Sequence, residues 1–227
     1  MQDQTAQLTA QLIWRDAQVP VSQRFDDPYF SLENGLAETR HTFLVGNGLP
    51  GRFRPGFHVA ELGFGTGLNL LATWDLWRQS GQGGQLCFTS FEAFPMALPD
   101  MARALAAFPE LQDVAQAMLA GLAETPQQLD LPDLRFSLVL GDARQTVPRW
   151  SGRADAWFLD GFSPAKNPEL WEQPLLAAVH EHTAPGGTLA TYTAAGFVRR
   201  GLADVGFTVA RMPGYGRKRH MSVAEKG

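Results

Sequence analysis

Acidic residues recur at one kind of place in this sequence, directly after runs of apolar residues that predict buried strands. Four such acids are the first candidates for chemistry: Glu61, Glu92, Asp142 and Asp160. In an open α/β sheet the carboxyl ends of parallel strands share one edge, where ligands bind. Carboxylates gathered there accept hydrogen bonds from hydroxyl and amino groups, and they can take up a proton. We therefore expect one polar site at this edge of the sheet.

The first of these acids lies in the glycine-rich run VAELGFGTGLN, residues 59–69. Gly63, Gly65 and Gly67 stand at alternate positions between a predicted strand and a predicted helix. The dinucleotide fingerprint needs its third glycine at the position of Leu68, so pyrophosphate binding is disfavoured. The G-x-G-x-G spacing resembles the nucleoside-binding motif of S-adenosylmethionine-dependent methyltransferases. A plain tight turn is the alternative interpretation of the glycines alone.

Predicted strands and helices alternate along most of the chain. The predicted strands cover residues 57–61, 85–91, 134–140, 154–159, 188–193, 207–210 and 221–224. The predicted helices cover residues 66–78, 98–108, 111–122, 144–150, 169–182 and 196–205, and a loop is predicted over 126–133. Alternation of this kind favours a parallel sheet, and the two directly joined strands at the end favour an antiparallel edge. The expected fold is α/β and Rossmann-like, with a seven-stranded, mostly parallel sheet.

The composition limits the class of protein. The chain has 227 residues, 44% hydrophobic and 19% charged, which suits one large domain or one domain with a small appendage. The single cysteine, Cys87, excludes a disulfide framework and a cysteine-rich metal site. The net charge of −4 argues against binding nucleic acid over a broad surface but is compatible with a local basic patch.

Features that the sequence lacks narrow the possibilities further. It contains no stretch of about 18 apolar residues, and the run MQDQTAQLTA is too polar for a signal peptide. The histidines show no metal-ligand spacing with cysteines or acids, and His180 and His182 do not share a helix face. We therefore expect a cytoplasmic protein without a membrane segment and without a metal.

The run DAWFLDGFSPAKNPELW, residues 155–171, is the most distinctive in the sequence. Together with FDDPYFS, ELGFGTGLN, SFEAFP, PGGTLATYTAAGFVRRGL and GFTV…GYGRKRHM, it closely resembles the methyltransferase domain of the bacterial bifunctional enzymes that complete 5-methylaminomethyl-2-thiouridine in tRNA. The resemblance extends from about Trp14 to Met221. It implies a class I S-adenosylmethionine-dependent methyltransferase fold. The implied reaction is methylation of the amine of 5-aminomethyl-2-thiouridine at the wobble position, 34.

The residues before the first core strand are predicted to form an extension. Alternating apolar residues predict a hairpin over residues 8–25, and Ser31 is predicted to cap a helix that runs to about Val45. The segment FDDPYFS, residues 25–31, is either a packed loop or a lid over the cofactor. We expect residues 1–50 to form this hairpin-and-helix extension and residues 51–227 to form the methyltransferase domain.

The residues expected to bind S-adenosylmethionine surround the glycine loop and the strand-end acids. Glu92 is predicted to accept hydrogen bonds from the ribose hydroxyls, and Asp142 from the adenine amino group. The alternative for Glu92 is a solvated acid at a strand end. The complete predicted set is Tyr29, Glu61, Gly63, Gly65, Thr66, Gly67, Asn69, Glu92, Asp142, Ala143 and Asp160.

Asp160 and Phe162 are the predicted catalytic residues. The DGFSP run that contains them is similar in layout to the D/N-P-P-aromatic motif of amino-methyltransferases. A primary amine is mostly protonated at neutral pH, so Asp160 is predicted to orient the acceptor amine and to take its proton. A carboxylate also stabilises the ammonium, whereas burial favours the neutral amine, and the sequence leaves both outcomes open. Phe162 is predicted to stack on the uracil ring or, alternatively, to pack in the core.

Basic residues in the last part of the chain are the predicted contacts to tRNA phosphates: Arg199, Arg200, Arg217, Lys218 and Arg219. An ordinary solvated face is the alternative. The bifunctional enzymes also carry a flavin-dependent oxidase domain, which has no counterpart in a sequence that ends at Gly227. We therefore expect either a stand-alone enzyme or an excised domain, with a separate FAD-dependent oxidase acting upstream. We expect a monomer that binds the anticodon arm of tRNA.

Other functions share this kind of sheet. One alternative is a small-molecule N-methyltransferase. Another is an aminopropyltransferase of the spermidine synthase type, which also places an acid after the fourth strand to handle an amine. A non-catalytic adenosine-binding module would dock RNA without chemistry. An NAD-dependent oxidoreductase is disfavoured by Leu68 at the third glycine position.

Overall fold

The structure is a computed structural model that describes residues 9–16, 19–31 and 34–227. Three short strands form a small antiparallel sheet: β1 (Leu12–Arg15), β2 (Val19–Ser22) and β3 (Asp27–Pro28). A larger sheet contains β4 (His58–Leu62), β5 (Leu86–Glu92), β6 (Gln128–Leu131), β7 (Leu134–Leu140), β8 (Ala154–Leu159), β9 (Thr183–Thr191), β10 (Phe207–Pro213) and β11 (His220–Lys226). The predicted N-terminal hairpin is therefore present, although its residues 8, 17 and 18 lie outside the described ranges.

The larger sheet has eight strands in the order β10-β11-β9-β8-β4-β5-β7-β6. Its five central strands run parallel, whereas β6 on one edge and β10 and β11 on the other pair antiparallel with their neighbours. The predicted Rossmann-like α/β fold is thus confirmed. Because the central strands are parallel, their carboxyl ends lie at one edge, where the predicted acids meet.

Helices cover both faces of the sheet. They are α1 (Gly35–Thr39), α2 (Leu68–Gln79), α3 (Leu98–Leu105), α4 (Gln112–Glu124), α5 (Ala143–Thr146), α6 (Gln173–Glu181) and α7 (Gly196–Asp204). Along β8, Phe158 contributes to the core that contains α2 and α4, and Trp157 contributes to the core that contains α6 and α7. Side chains alternate in this way along any strand, so a strand covered on both faces reads as a continuous apolar run.

Part of the predicted N-terminal extension packs into the main core. After α1 the chain continues as a π-helical turn (Arg40–Leu44) and a 3-10 turn (Val45–Asn47). Phe43 in this segment is buried and stacks on Phe158 of β8, with 5.2 Å between the ring centroids. The division of the chain at residue 50 stays a prediction.

Several predicted boundaries differ from the structure, including the following three. The loop expected over residues 126–133 contains β6, because a short antiparallel connection to β7 adds an eighth strand at the sheet edge. The fifth core strand begins at Thr183 rather than 188, so it runs through the glycine pair at 186 and 187. The first helix begins at Gly35 and not after Ser31, since the side chain of Asn34 accepts a hydrogen bond from the Ala37 amide.

Among the described helices, none combines the length and the apolar character needed to span a membrane.

Candidate functional site

The carboxyl ends of the parallel strands open into a cavity of about 700 Å³. Segment 25–31, α1 and the loop between β10 and β11 also contribute to its lining. Nine of the eleven residues predicted to bind the cofactor line this cavity: Tyr29, Gly63, Gly65, Thr66, Asn69, Glu92, Asp142, Ala143 and Asp160. The other two, Glu61 and Gly67, do not contribute to its lining.

Glu61 is fully buried and reaches the cavity only through Asn69. Its carboxylate accepts hydrogen bonds from Asn69 Nδ2 at 2.8 Å and from Ser90 Oγ at 2.7 Å. Burial raises the pKa of Glu61 well above its ordinary value, although these two hydrogen bonds oppose the rise. Asn69 Nδ2 also donates to Asp160 Oδ2 at 2.6 Å. One amide therefore joins the acid before the glycine loop to the acid that follows β8.

Gly63 brings the loops after β4 and β8 into direct backbone contact. A Cβ atom at this position would lie 2.8 Å from the carbonyl oxygen of Asp160, and the backbone has φ of +88°. Because of both features, any side chain at this position would be energetically costly. Gly67, by contrast, faces the side chains of Met118 and Phe64, which explains why it lies behind the cavity.

Glu92 is anchored to the glycine loop. Its Oε2 accepts hydrogen bonds from the amides of Phe64 and Gly65 at 3.0 and 3.1 Å, and its Oε1 accepts from the Phe94 amide at 2.7 Å. Loop N–H groups that could hold an anionic ligand are thus already bound to a carboxylate, which would repel a pyrophosphate. A carboxylate has more acceptor sites than these three bonds use, so it can still accept from neutral hydroxyl groups.

Asp142 is the N-cap of α5, and its carboxylate accepts several hydrogen bonds from Arg144. It accepts hydrogen bonds from the Arg144 amide at 2.9 Å and from its guanidinium at 2.6 to 3.1 Å. The side-chain bond to Arg144 is the main reason that the pKa of Asp142 lies below its ordinary value. An adenine amino group would therefore meet a carboxylate with little remaining acceptor capacity.

Asp160 follows β8 and is partly exposed to the cavity. Burial raises its pKa to about 7, while the hydrogen bond from Asn69 and the charge of Lys218 lower it and Glu38 raises it. A carboxyl group with this pKa can both accept and release a proton near neutral pH. In the described part of the chain, Asp160 forms no ion pair.

Phe162 lines the cavity within an aromatic cluster. It stacks on Phe25 with 4.7 Å between ring centroids, and the ring of Tyr29 meets it edge-on at 5.2 Å. Part of the Phe162 ring is therefore covered by the protein itself. Stacking of uracil on Phe162 stays a prediction, and the alternative packing role accounts for these contacts.

Lysines pair with two other carboxylates of the cavity. Lys166 lies 3.5 Å from Asp27 Oδ1 and also donates to the carbonyl of Asp26. Asp27 in turn accepts a hydrogen bond from the Ser163 amide at 2.9 Å. These contacts hold segment 25–31 against the loop after β8, so this segment forms a wall of the cavity.

The second lysine is Lys218, from the loop between β10 and β11. Its Nζ lies 2.5 Å from Glu38 Oε1 and 4.3 Å from the centroid of the Tyr192 ring. The Tyr192 hydroxyl donates to the Gly161 carbonyl at 2.7 Å, directly beside Asp160. Sequence reasoning missed Glu38 and Tyr192 because neither belongs to a local motif that marks an acidic or aromatic site. The signals available for this side were the acids and aromatic residues of segment 25–31, the DGFSP run that contains Asp160, and the basic residues near Lys218.

The five basic residues predicted to contact RNA do not share one environment. Arg217 and Lys218 are exposed residues that also line the cavity, and Lys218 is paired with Glu38. Arg200 and Arg219 are exposed, whereas Arg199 is partly buried and donates to the Ala194 carbonyl. The contact of Lys218 with a phosphate stays a prediction, as does its alternative, an ordinary solvated face. The roles of the other four stay predictions.

The histidines make ordinary local contacts. His58 is hydrogen-bonded to Thr89 Oγ1, and His182 Nδ1 contacts the Gly152 carbonyl. His180 packs edge-on against Phe207. Across residues 9–16, 19–31 and 34–227, no group of three or more His, Cys, Asp or Glu side chains could hold a metal ion.

Comparison with known proteins connects this geometry to chemistry. Residues 109–227 match the family described as S-adenosyl-L-methionine-dependent methyltransferase. The protein named tRNA 5-methylaminomethyl-2-thiouridine biosynthesis bifunctional protein MnmC in Caulobacter sp. (strain K31) is 50% identical over 232 residues. That match covers 96% of this chain and 38% of the relative. The protein of the same name in Pseudomonas aeruginosa (strain UCBPP-PA14) is 48% identical, covering 93% of this chain and 34% of the relative.

A solved structure agrees with the fold. The crystal structure of MNMC2 from Aquifex aeolicus superimposes with a TM-score of 0.74 at 26% sequence identity. The superposition covers 97% of this chain and 71% of that one. The chain spans a little over a third of the length of the curated relatives it matches.

Proposed function

This chain belongs to the S-adenosyl-L-methionine-dependent methyltransferases, and we propose that it methylates the amine of 5-aminomethyl-2-thiouridine at wobble position 34 of tRNA. The observation that carries the proposal is Asp160, a cavity carboxylate with no ion pair among the described residues and a pKa of about 7. The neighbouring acids Asp27 and Glu38 each have a lysine. Asp160 is thus the carboxylate left to receive a cationic or proton-donating acceptor, which an aminomethyl group is.

The other end of the cavity suits S-adenosylmethionine. Glu92 would accept hydrogen bonds from the ribose hydroxyls, and the backbone at Gly63 and Gly65 allows close approach because no Cβ intervenes. The remaining binding residues would be Tyr29, Thr66, Asn69, Asp142 and Ala143. Glu61 and Gly67 would support this set from behind the cavity surface.

The proposed mechanism assigns proton transfer to Asp160. When bound, S-adenosylmethionine would supply the electrophilic methyl group. The amine lone pair would form the new C–N bond as the methyl–sulfur bond breaks, and that bond's electron pair would stay on sulfur. Asp160 Oδ2 is held by Asn69, which leaves Oδ1 to hydrogen-bond the amine. The carboxylate takes the proton of the incoming ammonium and passes it to solvent. Ionised again, it stabilises the positive charge that develops on nitrogen.

We propose tRNA as the substrate because the relatives are named for a tRNA modification and because Asp160 is available to receive an amine. We propose that the anticodon arm reaches the cavity past Arg200 and Arg219, which are exposed and can contact phosphates. We propose further that the chain acts as a monomer in the cytoplasm. Because it spans little more than a third of its bifunctional relatives, an FAD-dependent oxidase, fused or separate, would produce the aminomethyl substrate upstream.

The proposal is tested by methyl transfer from labelled S-adenosylmethionine to two preparations of one tRNA. One carries 5-aminomethyl-2-thiouridine at position 34 and the other carries uridine there. We expect label in the first only, with nucleoside mass spectrometry placing one added methyl group on the amine. Equal label in both preparations would contradict the proposed acceptor.

Related reactions are separated in the same assay. Putrescine with decarboxylated S-adenosylmethionine tests aminopropyl transfer, and free small amines with S-adenosylmethionine test a metabolite N-methyltransferase. Either reaction, in place of transfer to tRNA, would replace the proposed function. Cofactor binding without transfer to any acceptor would indicate a non-catalytic module.

A further inference from the structure

We infer that Lys218 is a positioning residue for methyl transfer. Its fixed positive charge favours the reactive state, in which the acceptor amine is neutral and Asp160 is ionised. The inference rests on the proposed amine substrate. It assigns Lys218 to the reacting end of the cavity and not to the phosphate-binding surface.

The ammonium group of Lys218 is held by two contacts within the cavity. Its Nζ lies 2.5 Å from Glu38 Oε1 on α1 and 4.3 Å from the centroid of the Tyr192 ring. The Glu38 side chain is only 14% exposed, and Tyr192 is tied to the backbone beside Asp160 by its 2.7 Å hydrogen bond to Gly161. The Lys218 side chain is itself 46% exposed, and these contacts fix its charge at the rim of the cavity, where it acts on Asp160. A long surface lysine without such contacts would not hold its charge at a defined position.

Charged groups from several elements face this position. Lys218 and Glu38 act on Asp160 in opposite directions, and the effect of Lys218 is the larger of the two. Tyr192 also experiences the charges of Asp160, Asp27 and Glu38. Arg217, Tyr29 and Tyr215 also line the cavity, and His41 contacts Tyr215 from the segment after α1. Lys166 lies behind the cavity lining, where it pairs with Asp27. At Asp160 the effect of the Lys218 charge exceeds that of Glu38, so the two charges together lower the pKa of Asp160.

The charge matters because the reactive state contains one proton fewer than the resting state. On arrival, an ammonium beside the Asp160 carboxylate has no net charge. The state that attacks is a neutral amine beside an ionised carboxylate, and its net charge is −1 after the proton has left to solvent. A fixed positive charge stabilises the second state relative to the first. Lys218 therefore resolves the competition between a carboxylate, which favours the ammonium, and burial, which favours the amine.

The test is the pH dependence of single-turnover methyl transfer to aminomethyl tRNA, at saturating cofactor and tRNA. In Lys218→Gln we expect the acid limb of the profile to move upward by about one pH unit. The rate on that limb then falls about tenfold, while the plateau at high pH is retained. Lys218→Arg preserves the charge and is expected to keep the limb within a few tenths of the wild-type position.

Matched controls separate this role from a structural one. Lys166→Gln removes the same charge from the other lysine–carboxylate contact of the cavity and is expected to leave the position of the limb unchanged. Calorimetry of S-adenosylmethionine binding checks that each variant is folded, and Lys218→Met replaces the glutamine variant if that one no longer binds the cofactor.

Three outcomes would overturn the inference. An unmoved limb, or an equal loss of rate at all pH values, would make Lys218 a structural residue. A limb that moves to lower pH would show that the lysine competes with the substrate ammonium for its place. Absence of transfer by the wild-type protein would overturn the proposed function and this inference together, whereas wild-type transfer with an unmoved limb overturns the inference alone.

Discussion

The cavity has two halves that are built in different ways. The cofactor half comes from neighbouring strand–loop–helix units, and its main contact, Glu92 with the amides of Phe64 and Gly65, joins residues fewer than 30 positions apart. The acceptor half joins distant parts of the chain, as in the contact between Glu38 and Lys218 across 180 positions. Sequence motifs therefore predict the first half. The second half is formed by contacts between residues far apart in the chain, which no local motif predicts.

The halves also differ in how their carboxylates are satisfied. In the cofactor half, Glu92 is bonded to backbone amides and Asp142 to Arg144. In the acceptor half, Glu38 pairs with a lysine, whereas Asp160 has only the amide of Asn69 among the contacts described. A carboxylate without a countercharge is costly to bury in its ionised form. This difference marks Asp160 as the group available for chemistry.

The largest expected effect is that of substituting Asp160, which should impair the acceptor half of the cavity and spare the cofactor half. In Asp160→Asn we expect the rate of methyl transfer to fall by about 10²–10⁴-fold, because the variant cannot take up the proton of the amine. Binding of S-adenosylmethionine should change by no more than a few fold. Single-turnover rates and calorimetry measure the two quantities, with the exposed Asp113→Asn as control. A rate within tenfold of wild type would remove the distinction between the halves.

The reciprocal substitution is that of Glu92, in the cofactor half of the cavity. We expect Glu92→Gln to weaken S-adenosylmethionine binding by about 10- to 100-fold, since it removes a charged acceptor for the ribose hydroxyls and loosens the glycine loop. The transfer rate at saturating cofactor should fall much less. Calorimetric titration gives the affinity, and Glu124→Gln, at an exposed position on α4, is the matched control. If the rate fell while the affinity stayed constant, the assignment of Glu92 to the cofactor half would be wrong.

Gly63 lies where the halves touch, so its substitution should disturb both. A Cβ in Gly63→Ala would lie 2.8 Å from the Asp160 carbonyl oxygen in a left-handed backbone conformation. We expect the free energy of unfolding to fall by about 1–3 kcal/mol, with losses of both affinity and rate. Chemical denaturation measures the first quantity. Gly83→Ala is the control, since nothing lies within 4 Å of its added methyl group. Equal stability of the two variants would contradict the close packing of the loops.

The smallest effect is on stability and follows from the pKa of Asp160. This pKa rises from 3.8 to about 7 on folding, so the contribution of Asp160 to stability is present below about pH 4 and is lost as the pH rises through 7. Asp160→Asn cannot ionise. The full shift corresponds to about 4 kcal/mol, and the partial exposure of Asp160 to the cavity lowers the expected effect. We therefore expect the variant to gain on the order of 1–2 kcal/mol relative to wild type between pH 4 and pH 8. Denaturant titrations at the two pH values measure this gain. A constant difference would show that Asp160 is not protonated preferentially in the folded protein.

Local sequence patterns were sufficient for most of the sheet and failed where tertiary contacts decide. The strand over residues 134–140 and the strand over 154–159 have the predicted bounds, because buried parallel strands read as continuous apolar runs. The edge strand β6 was missed because half of its residues are exposed and polar. The helix cap was assigned to Ser31 instead of Asn34 because several residues in that segment could act as caps.

By itself, the sequence determined the alternation of strands and helices, the glycine loop and the acids that end the strands. Each of these depends on residues close together in the chain, so its pattern can be read directly. Only the tertiary structure decided that Glu61 lies behind the cavity, that Phe25 covers part of Phe162, and that Lys218 faces Glu38 and Tyr192. Such contacts depend on how distant elements cross and on which charges remain unpaired after folding, and neither quantity has a signature along the chain.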